Sequence, residues 1–392
     1  MKPGYKQTEV GIIPEDWEVK PLGSLCRRIT TGKLDANEMV SDGDYPFFTC
    51  AKESYWIDRY DFNYEALLVS GNGANVGYVH YYNGKFNAYQ RTYVLSEFSA
   101  EVQFLKLFLD RNLRERIRVE VNAGNTPYIT MGTLTDMQVA LPPTFPEQRA
   151  IAGALSDVDA LLGAQEALLA KKRDLKAAAM QQLLTGQKRL PSFTGEWQVK
   201  RLGEVGTFFK GSGVRKDDSQ SGELPCVRYG EIYTRHTDCI KKFYSFISPK
   251  VAATARLLKQ GDLLFAGSGE TKEEIGKCVA FVDAFEAYAG GDIVILRPQS
   301  VDSLFLGFSL NTPSINRQKA SRGQGDAVVH ISSSSLADIA VHLPPLPEQT
   351  AIAAVLSDMD AEIAALEAQR DKTRTLKQGM MQELLTGRIR LV

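Results

Sequence analysis

Arg, Lys, Asn, Gln, Ser and Thr side chains can read base edges in the major groove through directed hydrogen bonds, and in this chain they gather in glycine-bearing loops. In the first half the candidates are Ser70, Asn72 and Asn75, then Gln90 and Arg91, then Asn122, Asn125 and Tyr128. In the second half they are Arg228, Tyr229 and Arg235, then Ser268, Glu270, Thr271 and Lys272, then Arg322, Gln324 and His330. Other chemistry is poorly provided for. There is no G-x-x-x-x-G-K-[ST] phosphate loop and no G-x-S-x-G elbow. The GNGANVG run from Gly71 and the GSGET run from Gly267 lack the strand–GxGxxG–helix context of a dinucleotide site and read as tight turns between strands. His80, His236, His330 and His342 have no second ligand at metal spacing, so no metal site is expected.

The elements that must carry these loops are announced by a repeat. From Pro146 the chain reads PEQRAIAGALSDVDALLGAQEALLAKKRDLKAAAMQQLLTGQKRL, and from Pro347 it reads PEQTAIAAVLSDMDAEIAALEAQRDKTRTLKQGMMQELLTGRIRL. At a fixed offset of 201 positions, 26 of these 45 residues are identical. WEVKPLG at Trp17 and WQVKRLG at Trp197 open the two copies, and the segments between the signatures share little. A repeat this long is a duplicated domain rather than a solenoid, and it suits a partner with two similar half-sites.

Each repeat segment reads as one long helix. Pro146 and Pro347 fit its first turn, Glu147 and Glu348 sit on the favourable side of its dipole, and Gly186 and Gly387 fit a left-handed cap. Ile352, Leu356, Met359, Ile363 and Leu366 follow 4-3-4-3 spacing, as do Ile151, Leu155, Val158, Leu162 and Gln165. The economical partner for such a stripe is the other copy, packed antiparallel; the alternative is that each helix packs on its own module. The Gln165/Leu366 and Leu169/Arg370 exchanges would set the register of a pair. Asp157, Asp159, Asp358 and Asp360 then fall on a solvated face or at a protein contact rather than in acid–base chemistry.

The modules between the repeats read as mixed α/β with β-rich cores. ALLVSGNGANVGYVHYY from Ala66 and DLLFAGSGETKEEIGKCVAFV from Asp262 share a strand–glycine turn–strand plan. A further strand is expected in NAYQRTYVL and in GGDIVILRP. A helix is expected in FLKLFLDRNLRERIRVEV from Phe104 and, as its counterpart, in LFLGFSLNTPSINRQKA from Leu304. The predicted division is 1–145 and 191–346 for the modules and 146–190 and 347–392 for the helices.

The net charge is −1, so there is no bulk basic footprint. Local clusters at Arg111, Arg114, Arg116 and Arg118, and at Lys241 and Lys242, read either as a DNA-facing patch or as a solvated face. No run of 18 apolar residues exists, and five scattered cysteines suit free thiols in a reducing cytosol. A cytoplasmic location without membrane contact is expected.

The opening YKQTEVGIIPEDWEVKPLG resembles the start of type I restriction–modification specificity subunits, as do LPPLPEQTAIAAVLSDMDAEIAALEAQRDKTRTLKQGMMQELLTGRIRL and its earlier copy. The resemblance covers essentially the whole chain. Copy one departs from it in reading LPPTFPEQ, one residue longer before Pro-Glu. It implies an α+β fold with two target recognition domains and two long repeat helices forming an antiparallel coiled coil with internal pseudo-two-fold symmetry. It also implies a non-catalytic subunit that binds double-stranded DNA at a split asymmetric site. The helix pair would fix the separation of the half-sites. Two methyltransferase subunits would supply S-adenosylmethionine chemistry, and restriction/translocase subunits would use ATP and Mg. No cofactor is expected on this chain. The outer helix faces, including Lys171, Lys172 and Arg173, are where methyltransferases would sit. Two alternatives stand beside it: a self-contained methyltransferase, which would need an NPPY-like tetrapeptide that LPPT and LPPL do not supply, and a scaffold or inactive paralogue.

Overall fold

The computed structural model describes residues 3–120, 127–325 and 328–391. It divides into two compact units, Met1–Ala167 with Ala368–Val392, and Leu168–Glu367. Each unit therefore holds one module, the first half of the long helix that follows it and the last half of the other long helix.

In the first unit, six strands lie in the order Cys26–Thr31, Thr92–Phe98, Phe62–Ser70, Val79–Ala88, Tyr45–Phe48, Tyr55–Ile57. All neighbours are antiparallel except Tyr45–Phe48 on Val79–Ala88. The apolar run Ala66-Leu67-Leu68-Val69 makes the centre of this sheet because both faces are covered. Leu67 and Val69 enter the core beneath the helix Val102–Glu120, while Ala66 and Leu68 join Phe62, Phe86 and Val94 on the other side. This alternation is the period-2 geometry of a strand applied to a wholly apolar segment.

The second unit repeats the plan with one strand broken. One sheet runs Gly206–Lys210, Ile293–Pro298, Leu263–Ala266, Cys278–Ala280, and the other runs Ser245–Ile247, Leu224–Val227, Tyr288–Ala289, Arg256–Leu257. Leu224–Val227 pairs in parallel with Tyr288–Ala289 just as Tyr45–Phe48 pairs with the end of Val79–Ala88. Residues 281–287 interrupt the equivalent of that long strand, so one sheet becomes two. The counterpart of the Val102–Glu120 helix is also split, into Ser303–Ser309 and Pro313–Ala320. Pro313 causes the break: it has no amide hydrogen to continue a helix but fits the start of a new one.

The repeat segments are helices of 39 residues, Phe145–Leu183 and Leu346–Leu384, each about 58 Å long at 1.5 Å per residue. Gly186 and Gly387 end them with φ of 72° and 69°, the left-handed conformation that favours glycine. The two expected packings both occur. In the first unit Ile151 and Leu155 sink into the module core together with Leu384 and Leu385, and Gln165 donates to the Thr373 hydroxyl at 3.3 Å. In the second unit Ile352 and Leu356 sink into the other core with Leu183 and Leu184.

The charged residues of the repeat complete these contacts. Within the first unit Glu166 pairs with Arg374 (3.1 Å) and Asp159 with Lys377 (2.6 Å), so the helices run antiparallel. Within the second unit the equivalent residues, with the copies exchanged, repeat the pattern: Glu367 pairs with Arg173, and Asp360 with Lys176 at 2.7 Å. Lys172 is bound to Glu362. Lys172 and Arg173 are thus engaged by the other helix while staying accessible to solvent, because the antiparallel register brings acidic residues of the second copy opposite them.

The repeated Pro-Glu-Gln has a structural reason. Gln148 donates to the Pro142 carbonyl at 2.9 Å and accepts from the Glu101 amide at 2.8 Å. Gln349 does the same with Pro344 and Asp302 at 2.7 and 2.9 Å. Each glutamine ties its helix to its module. The buried glutamates Glu147 and Glu348 receive Arg390 and Arg189, and those guanidiniums lie 6.0 Å from the Trp17 and Trp197 rings.

Candidate nucleic-acid interface

Part of the expected loops meets at the end of the sheet in each module, and backbone hydrogen bonds define which residues correspond. Strand Phe62–Ser70 ends at Gly71, whose amide donates to the Arg91 carbonyl at 2.8 Å. Strand Leu263–Ala266 ends at Gly267, whose amide donates to the Asp292 carbonyl at 2.7 Å. A Cβ on Gly71 would lie 2.2 Å from the Arg91 carbonyl oxygen, so this close approach requires glycine. The strand registers agree: Ser70 faces Thr92 as Ala266 faces Ile293, and Thr31 faces Tyr93 as Lys210 faces Val294. Arg91 and Asp292 are therefore equivalent positions.

One residue further, the turn pairs with the segment before the closing strand. Asn72 bridges to Tyr128, and Ser268–Gly269 pairs with Val329–His330. Asn72 corresponds to Ser268 and Tyr128 to His330. The Ser268 hydroxyl lies 2.9 Å from Nδ1 of His330, an exposed residue whose imidazole this contact orients.

In the first module Asn72, Gln90, Arg91 and Tyr128 line one cleft of about 560 Å³. Tyr128 is 62% exposed. Gln90 donates to Asp35 at 2.6 Å, and Tyr93 at the cleft floor donates to the Ile129 carbonyl at 3.0 Å, its phenol pushed up by burial. Asn75 lies apart, lining a neighbouring cleft with Lys52 and Arg114 and donating to the Cys50 carbonyl at 3.1 Å. Ser70 is fully buried, its hydroxyl inside the sheet rather than in the cleft. Asn122 and Asn125 lie outside the described residues.

In the second module Ser268, Gln324 and His330 line a cleft of about 230 Å³ with Lys210 and Asp292. The other candidates do not line it. Arg228 and Tyr229 start the short helix Tyr229–Thr234, and Arg235 lies 5.1 Å over the Tyr244 ring. Thr271 and Lys272 are exposed on the turn beyond Glu270. Arg322 donates to the carbonyls of Gln318 and Asp338 at 2.9 and 3.5 Å and is spent on its own backbone. Sequence reasoning missed Asp292 and Lys210. Lys210 could have been found as the residue ending a strand beside the Gly211 turn, whereas Asp292 carried no signal until the register set it opposite Gly267.

The basic clusters are neutralised only in part. Arg116 pairs with Glu120 at 2.8 Å, Arg118 with Glu115 at 2.6 Å, and Arg111 donates to the Met381 carbonyl at 3.2 Å. Arg114 is left toward the Lys52 cleft. Lys241 is 3.7 Å from Asp360, and Lys242 lies 5.6 Å over the Tyr244 ring. Among the described residues no group of three or more His, Cys, Asp or Glu could hold a metal, and no helix is long and apolar enough to cross a membrane.

The sequence profile of the type I restriction modification DNA specificity domain matches residues 14–171 and 194–373. The type I restriction enzyme EcoDI specificity subunit of Escherichia coli is 27% identical over 405 residues, spanning 97% of this chain and 89% of that protein. The MjaVIII specificity subunit of Methanocaldococcus jannaschii is 25% identical over 410 residues, spanning 97% and 94%. The S subunit of a type I restriction–modification system from M. genitalium shares the fold, with a TM-score of 0.64 at 16% identity over 98% of this chain and 99% of that one. With two matched segments that together take in most of its length, the chain belongs to the family of type I restriction–modification DNA specificity proteins.

Proposed function

We propose that this chain is the DNA sequence-recognition subunit of a type I restriction–modification complex, and that it binds a split, asymmetric double-stranded site. The observation that carries this reading is the paired cleft. Two modules built on one plan bring different polar side chains to equivalent positions, Asn72, Arg91 and Tyr128 in one and Ser268, Asp292 and His330 in the other. Equivalent frames with unlike side chains suit two half-sites of unlike sequence. The base-contacting set we propose is Asn72, Gln90, Arg91 and Tyr128 with Ser268, Gln324 and His330. Asn75, Arg228, Tyr229, Arg235, Thr271 and Lys272 are assigned to the surrounding surface.

The domain division follows the same logic: recognition modules in 1–145 and 191–346, joined by the helical segments 146–190 and 347–392. The chain is non-catalytic and assembles with methylase and restriction subunits. Two methyltransferase subunits per chain would match the duplication, and S-adenosylmethionine, ATP and Mg belong to those partners. The setting is the cytoplasm, where the DNA is.

The test is methylome sequencing of a host expressing the chain with cognate methyltransferase subunits, against the same host without it. A bipartite adenine-methylated motif that appears only with the chain is expected. Methylation indifferent to its presence would leave a scaffold or inactive paralogue.

A further inference from the structure

The two clefts carry opposite charges at one position. Arg91 and Asp292 correspond through the Gly71 and Gly267 hydrogen bonds and through the strand registers. Both are exposed at a cleft wall, and among the described residues neither side chain has a hydrogen bond or ion pair. Arg116, Arg118, Lys172 and Arg173, by contrast, are each paired with a carboxylate. Lys210 lines the same cleft as Asp292 but makes no ion pair with it. Asp292 also sits at φ 58°, the left-handed region that non-glycine residues rarely occupy.

The two side chains have complementary hydrogen-bond character. Arginine offers only donors in a fixed fork, which matches O6 and N7 of guanine; a carboxylate only accepts, which matches an exocyclic amino group in the major groove. We infer that Arg91 reads a guanine in one half-site, and that Asp292 reads, at the equivalent place in the other, a base presenting an amino group. This inference rests on the DNA-recognition reading above. It goes beyond that reading in fixing what each half-site contains and why a single fold reads both. Cytosine, through its N4 amine, and adenine, through its N6 amine, share the chemistry that Asp292 accepts.

The experiment is methylome sequencing of the full chain with its methyltransferase subunits, as wild type and as the Arg91→Gln, Asp292→Ala and Asp292→Asn variants. The wild type should show guanine at one fixed position of one half-site and cytosine or adenine at one fixed position of the other. Asp292→Ala should relax that second position by on the order of tenfold or more in relative methylation and leave the other half-site intact. Asp292→Asn separates the two bases: a cytosine position should turn toward adenine, whereas an adenine position should keep adenine. Arg91→Gln should turn the guanine position toward adenine without touching the second half-site. The unaltered half-site in each variant reports that the chain is folded and assembled. A chain-dependent motif that both aspartate variants leave unchanged, or one without guanine where Arg91→Gln acts, overturns the inference while the recognition reading stands. Absence of any chain-dependent motif overturns both.

Discussion

Arg390 donates from Nη2 to Oε2 of Glu147 at 2.8 Å. The same guanidinium reaches both carboxylate oxygens of Asp16 at 2.9 Å. One residue of the second repeat thus holds the first turn of the first long helix and the loop before Trp17. Glu147 is only 3% exposed, so little water can take this partner's place. Two hydrogen-bonded carboxylates hold the arginine firmly in its charged form. Removing one member of a buried pair strands the other. Arg390→Ala should therefore destabilise the first unit by about 2–3 kcal/mol, below the roughly 3–5 kcal/mol of a fully buried pair because the guanidinium is partly solvated. Urea denaturation of the full chain checks this; a midpoint within error of wild type would show that water replaces the arginine.

His236 makes the stability of the second module depend on pH. It is 6% exposed, and its Nε2 has no hydrogen-bond partner. Burial, then the nearby Lys277 charge, pulls its pKa down from 6.5 to about 4. The folded state therefore binds fewer protons than the unfolded state between those values. Stability is fully present above about pH 6.5 and is lost as the pH falls toward 4, by up to about 3 kcal/mol. His236→Gln should flatten that part of the profile. Thermal unfolding of both proteins from pH 7.5 to 4.5 measures the difference, and parallel curves would rule His236 out as the cause.

Buried Lys319 is 1% exposed and donates to the carbonyls of Gly276 (2.8 Å) and Leu310 (2.9 Å), and among the described residues it has no carboxylate partner. It fastens the turn at Gly276, where φ is 71°, to the helix Pro313–Ala320. Lys319→Met would fill the space but leave two carbonyls unpaired at roughly 1–3 kcal/mol each, offset by relief of a buried charge. A net loss of about 1–2 kcal/mol is expected. Hydrogen exchange should show faster opening at 266–277, beside the Ser268 cleft. Unchanged exchange there would mean the turn is held by its own backbone.

What the sequence made legible follows from how local each feature is. The two long helices could be read from Pro146, Pro347, Gly186, Gly387 and the apolar stripe, since caps and periodicity act within a few residues. The strands around Gly71 and Gly267 were equally local. The partners of the repeat's charges were not, because Lys172 and Glu362 meet only when the antiparallel register is set. Ser70 looked like a surface hydroxyl because it precedes a polar turn, yet strand alternation turns it inward at the covered centre of the sheet. Asp292 was missed because an aspartate after two glycines suggests only a turn, and its correspondence with Arg91 exists in the hydrogen-bond register alone.

The engagement of Lys172 and Arg173 with Glu362 and Glu367 changes what a charge-reversal experiment in this region reports. These pairs are solvent-accessible, with the Arg173 side chain 54% exposed, so each contributes at most about 0.5–1 kcal/mol. Lys172→Glu with Arg173→Glu places four like charges along one seam and should lower the melting temperature of the second unit by a few degrees at low salt. Added salt should narrow the difference, because exposed charges are screened within about 10 Å at 0.1 M. Lys171 makes no ion pair among the described residues, so Lys171→Glu should leave the melting temperature unchanged. If the methyltransferases use this stretch of helix, Lys171→Glu alone should weaken co-purification of the methyltransferase subunits with an intact, normally stable chain. Equal loss of assembly from both variants at matched stability would assign the surface to all three residues, and no loss from Lys171→Glu would remove this stretch from the assembly interface.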